Sequence, residues 1–124
     1  MTTQTKKSPA KTASINKIEW TKVCQLSDIS PKTGVCALVN GKQVAIFRPR
    51  FDEQLFAINN MDPFAQSNVL SRGIICEHDG ELWVASPLKK QRFNLETGLC
   101  MENETMNIET YEIRANGCEI EVKA

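Results

Sequence analysis

From Lys17 onward the chain is a series of short apolar runs separated by turn residues, and no helical period persists over ten residues. IEWTKVCQL reads as a first strand, with Ile18, Trp20 and Lys22 sharing one face. Pro31 and Gly34 mark Ser27–Gly34 as a loop. VCALV and VAIFR then flank Asn40-Gly41, a pair that tolerates positive φ and favours a two-residue hairpin. The same device recurs at Asp79-Gly80, between IICEH and ELWVA, and at Asn116-Gly117, between TYEIR and CEIEV. In the last run Cys118, Ile120 and Val122 alternate with Glu119, Glu121 and Lys123, which predicts a strand with one wet face. LFAINN adds another strand, and RFNLETG a strand entering a turn. The count, about nine to ten short strands, predicts an all-β fold, a small antiparallel barrel or sandwich that hides its edges. Met61–Arg72 and Thr97–Asn107 are the longest stretches without strand character, and long loops on a small β-scaffold are where function concentrates.

The 124 residues suffice for one domain. Residues 1–16 carry Thr, Ser, Lys and Ala with almost nothing to bury and are expected to form a disordered tail before a single domain at 17–124. Fifteen basic and fifteen acidic side chains cancel, so no cationic field is available for nucleic acid or an anionic membrane. No apolar run approaches the ~18 residues that span a bilayer. The N-terminus lacks the apolar core of a secretory signal, and the tail has lysines but no Arg, so a cytoplasmic location is expected. The five cysteines are odd in number and contain no C-x-x-C, which predicts reduced, mostly buried thiols. Trp20, Trp83 and Phe93 are expected in the core.

Catalytic chemistry is hard to find. The chain offers no paired carboxylates, phosphate-cradling glycine loop or triad, and no catalytic residue of its own is expected. Cys76 and His78, two apart on a predicted strand, share a face, so a thiol–imidazole pair is geometrically open. Neither a depressed thiol pKa nor an orienting third group is legible beside them, and strand residues next to a turn are the simpler reading.

Two loops carry a resemblance. Asn60-Met61-Asp62-Pro63-Phe64 followed by Leu70-Ser71-Arg72-Gly73 resembles the Rieske family's Asn-x-Cys-Pro-His and Leu-Ser-x-Gly. Ser86-Pro87-Leu88-Lys89-Lys90 followed by Phe93-Asn94-Leu95-Glu96-Thr97-Gly98 resembles its Cys-Pro-x-His-Gly and Phe-Asp-Leu-x-Thr-Gly. The resemblance implies a Rieske-like fold with an inserted hairpin subdomain. It also puts Asp62, Phe64, Ser86 and Lys89 where that family holds its [2Fe–2S] ligands. A Rieske centre needs two thiolates and two imidazoles, and the single histidine of this chain, His78, cannot supply the pair. No metal or cofactor is therefore expected in this chain.

With its opening IEWTKVCQLSDISPKTG, the chain resembles the small subunits of assimilatory NAD(P)H-dependent nitrite reductase. That resemblance implies a non-catalytic accessory role beside a large subunit carrying FAD, an iron–sulfur cluster and sirohaem, which reduces nitrite to ammonium. The alternative is a cluster-free interaction module of another redox complex. In either case the two loops, Met61–Gly73 and Ser86–Gln91, are expected to form the contact surface. Met61 and Phe64 would be apolar anchors and Lys89 and Lys90 a charged rim. Two other fates remain open: Phe64 filling the space a cluster would occupy, and Asp62 pairing with Lys89 across the loops.

Overall fold

The VAIF run at residues 44–47 is apolar without alternation, and the computed structural model, which describes residues 19–124, shows why. Val44 and Ile46 face one core and Ala45 and Phe47 another, so this strand is buried on both sides. In chain order the strands are β1 (Trp20–Gln25), β2 (Thr33–Val39), β3 (Lys42–Arg48), β4 (Phe56–Asn59), β5 (Met61–Asp62), β6 (Ser67–Asn68), β7 (Ile74–His78), β8 (Glu81–Ala85), β9 (Arg92–Asn94), β10 (Thr110–Asn116) and β11 (Glu119–Lys123). The architecture is all-β, as expected, with eleven strands because the first loop contains the two-residue pair β5 and β6. The tail expected at residues 1–16, with Lys17 and Ile18, lies outside the described residues.

Six antiparallel strands in the order β1-β11-β10-β4-β3-β2 wrap into a nearly closed barrel, with β1 and β2 flanking the seam. Its interior holds Ile29, Val39, Val44, Ile46, Ile120 and Val122. A separate three-stranded sheet, β7-β8-β9, is inserted between β4 and β10. It packs Val84, Phe93 and Leu95 against Ala45, Phe47 and Ile58 on the outer side of the barrel wall. Burial of this second face fixes the inserted sheet, and with it both loops, to a rigid wall.

Two of the three hairpins turn where the sequence predicts, with Asn40-Gly41 and Asp79-Gly80 both at positive φ. The third is shifted by one residue. Asn116 still pairs with Glu119, so the turn is Gly117-Cys118, with φ +67° at Gly117, the arrangement of a II′ turn that places glycine first. Cys118 is consequently exposed in the turn, and the dry face of β11 is Ile120 and Val122, continued by Ala124.

Two further expectations fail. Phe93 is fully buried, but Trp20 and Trp83 are only half-buried. Trp20 lies on the outer face of β1, where the Arg114 guanidinium stacks 4.0 Å from its ring centroid and Lys123 approaches to 5.7 Å. Among the five free cysteines only Cys100 is buried, Cys24 and Cys76 are half-buried, and Cys36 and Cys118 are exposed. Short strands with a wet face leave such positions on the surface, whatever the side chain prefers.

Candidate functional site

Asn60 ends the barrel strand and begins the first loop. Its side chain, buried, donates to Gln43 Oε1 at 3.2 Å and to Cys36 Sγ at 3.4 Å, and accepts from the Ser71 amide at 2.7 Å. Its carbonyl accepts from the Leu70 amide at 3.0 Å. One asparagine thus ties both ends of the Met61–Gly73 loop to the barrel. The motif placed Asn60 at the loop, but its role as a staple was not legible: Gln43 and Cys36 lie 17 and 24 residues away.

Gly73 closes the loop against β8. A Cβ there would lie 2.4 Å from the Ala85 carbonyl oxygen, so only glycine lets the two backbones approach. That approach sets the end of the first loop beside Ser86, where the second begins. Across the gap, the Ser86 hydroxyl donates to the Asp62 carboxylate, both side chains being fully buried. The other carboxylate oxygen of Asp62 accepts from the amides of Phe64 at 2.8 Å and Ala65 at 3.2 Å. Ser86 Oγ in turn accepts from the amides of Leu88 at 3.3 Å and Lys89 at 3.5 Å. Five hydrogen bonds from two loops therefore converge on the buried oxygens of Asp62 and Ser86.

The remaining expected site residues surround this network. Phe64 is half-buried, packs on the core beneath the inserted sheet, and sets its ring 6.2 Å from that of Phe93. It fills interior space and does not protrude. Met61 is half-buried on β5. Lys89 and Lys90 are exposed, next to Leu88, which is 55% exposed. The proposed Asp62–Lys89 ion pair does not form: among the described residues neither lysine has a carboxylate within 4.0 Å, because Asp62 is buried and committed to Ser86. Lys90 adopts φ +70°, a left-handed conformation that costs a non-glycine residue roughly 1–2 kcal/mol. It occupies the position of the motif glycine in the second loop, so the backbone shape of that loop persists without the residue that favours it.

The donor set does not fit a [2Fe–2S] centre. Asp62 and Ser86 offer hard oxygens already bonded to each other, Phe64 offers no lone pair, and Lys89 is a cation. Among the described residues no group of three His, Cys, Asp or Glu side chains is arranged to hold a metal. His78 is on β7, half-exposed, with Nε2 3.3 Å from Asp79 Oδ2. Cys76 and His78 share a strand as expected, but they make no hydrogen bond to each other.

Residues 19–123 match the Rieske-like [2Fe-2S] domain family. Over 96 residues the chain is 62% identical to the nitrite reductase (NADH) small subunit of Escherichia coli strain K12, covering 77% of this chain and 89% of that protein. The NMR structure of the E. coli protein NirD superposes with a TM-score of 0.80 at 56% identity, over 86% of this chain and 96% of that one. A 79-residue stretch is also 40% identical to part of the nitrite reductase [NAD(P)H] large subunit of Klebsiella oxytoca, 64% of this chain but only 8% of that protein.

Proposed function

Because the chain belongs to the Rieske-like [2Fe-2S] domain family, and within it to the small subunits of NADH nitrite reductase, we propose that it is the accessory subunit of such an enzyme. It docks on a large subunit that carries FAD, an iron–sulfur cluster and sirohaem, and that reduces nitrite to ammonium in the cytoplasm. The chain itself contributes no redox centre and no catalytic residue. The Klebsiella oxytoca relative supports the partnership, since there a stretch similar to this chain lies inside the large-subunit polypeptide. Among the described residues no helix is long and apolar enough to cross a membrane.

The observation that carries the docking surface is the tip itself. A buried Asp62–Ser86 bond holds two loops together and leaves Leu88, Lys89 and Lys90 exposed on the second, with half-buried Met61 preceding Asp62 on the first. Phe64 supports this surface from below. The two lysines, lacking carboxylate partners among the described residues, suit an acidic rim on the large subunit, and Leu88 and Met61 an apolar centre.

The test is a titration of the chain into purified large subunit, read both as association and as NADH-driven nitrite consumption. Replacing both lysines, Lys89→Glu with Lys90→Glu, is expected to weaken association about tenfold or more, through two reversed charges at the rim. The variant should reach the same maximal turnover at proportionally higher concentration. Association at the parent affinity would remove the tip as the docking surface.

A further inference from the structure

Among the described residues strand β7 is the edge of the inserted sheet, paired with β8 on one side and with no strand on the other. The tight turn at Asp79-Gly80 fixes which backbone groups face outward. In a two-residue hairpin the first pair, His78 and Glu81, is the hydrogen-bonded one, and bonded and non-bonded pairs alternate from there. Cys76 and Ile74 therefore direct their N–H and C=O toward β8, while Ile75 and Glu77 direct theirs away. The partner strand agrees: Leu82, opposite Glu77, turns its carbonyl away from β7 and accepts from the Leu95 amide at 2.9 Å. Among the described residues the backbone groups of Ile75 and Glu77 have no hydrogen-bond partner.

The residues that carry these open groups also line a groove of about 360 Å³. One wall is Ile75, Glu77 and Leu82, and the other is Lys32, Pro49 and Arg50 from the barrel. Arg50 is within 3.8 Å of Glu77, but Lys32 has no carboxylate within 4.0 Å. Next in sequence to Arg50 and Ile75 of these walls, Phe51 and Ile74 are 77% and 72% exposed. An apolar edge such as Ile-Ile-Cys, open and bordered by exposed large hydrophobics, is a surface that stable proteins normally cover.

The geometry points to β7 as a second docking element, where an extended segment of the large subunit adds as an antiparallel or parallel strand along Ile75 and Glu77. This inference rests on the accessory-subunit reading above. The added segment carries an acidic side chain toward Lys32, which among the described residues meets only the Phe51 ring, 6.0 Å away, and no carboxylate. It carries an apolar side chain toward Ile75 and Leu82, which line the groove with the core packed behind them. Main-chain pairing supplies affinity and the two walls supply selectivity, as in other strand-addition complexes.

Proline at position 77 isolates the interaction. It deletes an N–H that points outward, so the β7–β8 ladder keeps all its bonds. Glu77→Pro is expected to weaken association with the purified large subunit about tenfold, whereas Glu77→Ala, which retains the N–H, should stay within about twofold. In the unmodified complex, the Ile75 and Glu77 amides should exchange with deuterium at least about tenfold more slowly than in the chain alone. That measurement holds even where Glu77→Pro folds poorly. Unchanged exchange at both amides, or a folded Glu77→Pro that binds like the parent, overturns the edge proposal alone. Failure of the parent chain to bind the large subunit overturns the accessory reading and this proposal together. The Lys89→Glu and Lys90→Glu variant separates the two surfaces, since it leaves exchange at Ile75 and Glu77 protected once binding is saturated.

Discussion

Asp62→Ala is expected to destabilise the chain by about 3 kcal/mol, because a buried carboxylate with three donors is removed and each orphaned donor costs roughly 1 kcal/mol or more. The melting temperature should fall by roughly 15 °C, which thermal denaturation followed by circular dichroism reads directly. The magnitude comes from position, not charge. Phe64 and Ala65 lose an acceptor at the first loop, and the Ser86 hydroxyl loses one at the second, so two loops loosen at once. Ser86→Ala alone should cost about 2 kcal/mol, by leaving one oxygen of Asp62 buried and unpaired. The double variant should lose clearly less than the sum of the singles, since removing both partners removes the unpaired group as well. Strict additivity would mean that the two side chains do not act as one latch.

The second large effect lies at the far end of the site. Gly98 follows the Phe-x-Leu-x-Thr run and sits at φ +79°, where a Cβ would fall 2.1 Å from the Ile108 carbonyl oxygen. Neither backbone can yield. The Gly98 amide donates to Asn94 at 2.8 Å, and the Gly98 carbonyl accepts from Ile108 at 2.9 Å. Gly98→Ala therefore combines left-handed strain with a backbone clash and should cost about 3–4 kcal/mol. Gly41→Ala provides the control. Gly41 has the same φ of +79° but nothing within 4 Å of its missing Cβ, so about 1 kcal/mol is expected there. Equal losses at the two positions, read as urea midpoints at constant m, would show that the close approach at Ile108 contributes nothing.

These glycines also show what the sequence made legible. Where a local rule fixes a backbone shape, the chain announces it: Asn40-Gly41 and Asp79-Gly80 turn where expected, and Gly73 and Gly98 stand in their motifs because no Cβ fits. The run VAIF signalled strand but not that it separates two cores, since apolar continuity alone does not say which elements cover each face. The pair β5–β6 was missed because two residues are too few to show a period.

At the site, the sequence placed Asp62, Phe64, Ser86 and Lys89 on two loops and left open the space-filling role that Phe64 takes, but it assigned the partner of Asp62 wrongly. Asp62 was matched to a lysine by charge. The fold instead buries it and gives it Ser86, because a buried carboxylate gains more from fixed, close donors than from a flexible cation that prefers water. Trp20 went astray for a related reason. Arg114 and Lys123 approach its ring on the outer face of β1, so the indole has cationic partners without entering the core.

The latch also explains how a loop pair built on a Rieske-like frame keeps its shape without metal ligands. A cluster crosslinks two loops by covalent coordination. Here a carboxylate, a hydroxyl and four amides hold the same two loops by hydrogen bonds, with Phe64 filling space against Phe93. The outer surface of the tip is then free to carry Leu88, Lys89 and Lys90, the contact residues proposed above.

The measurement closest to this account is reconstitution with iron-free chain. The chain is purified colourless in the presence of chelator, added in increasing amounts to purified large subunit, and NADH oxidation is followed with nitrite present. The expected result is turnover that rises to a plateau with the iron-free chain and does not change when ferrous iron and sulfide are supplied to that chain beforehand. Turnover that appears only after such loading, together with visible charge-transfer absorption in the small subunit, would contradict it.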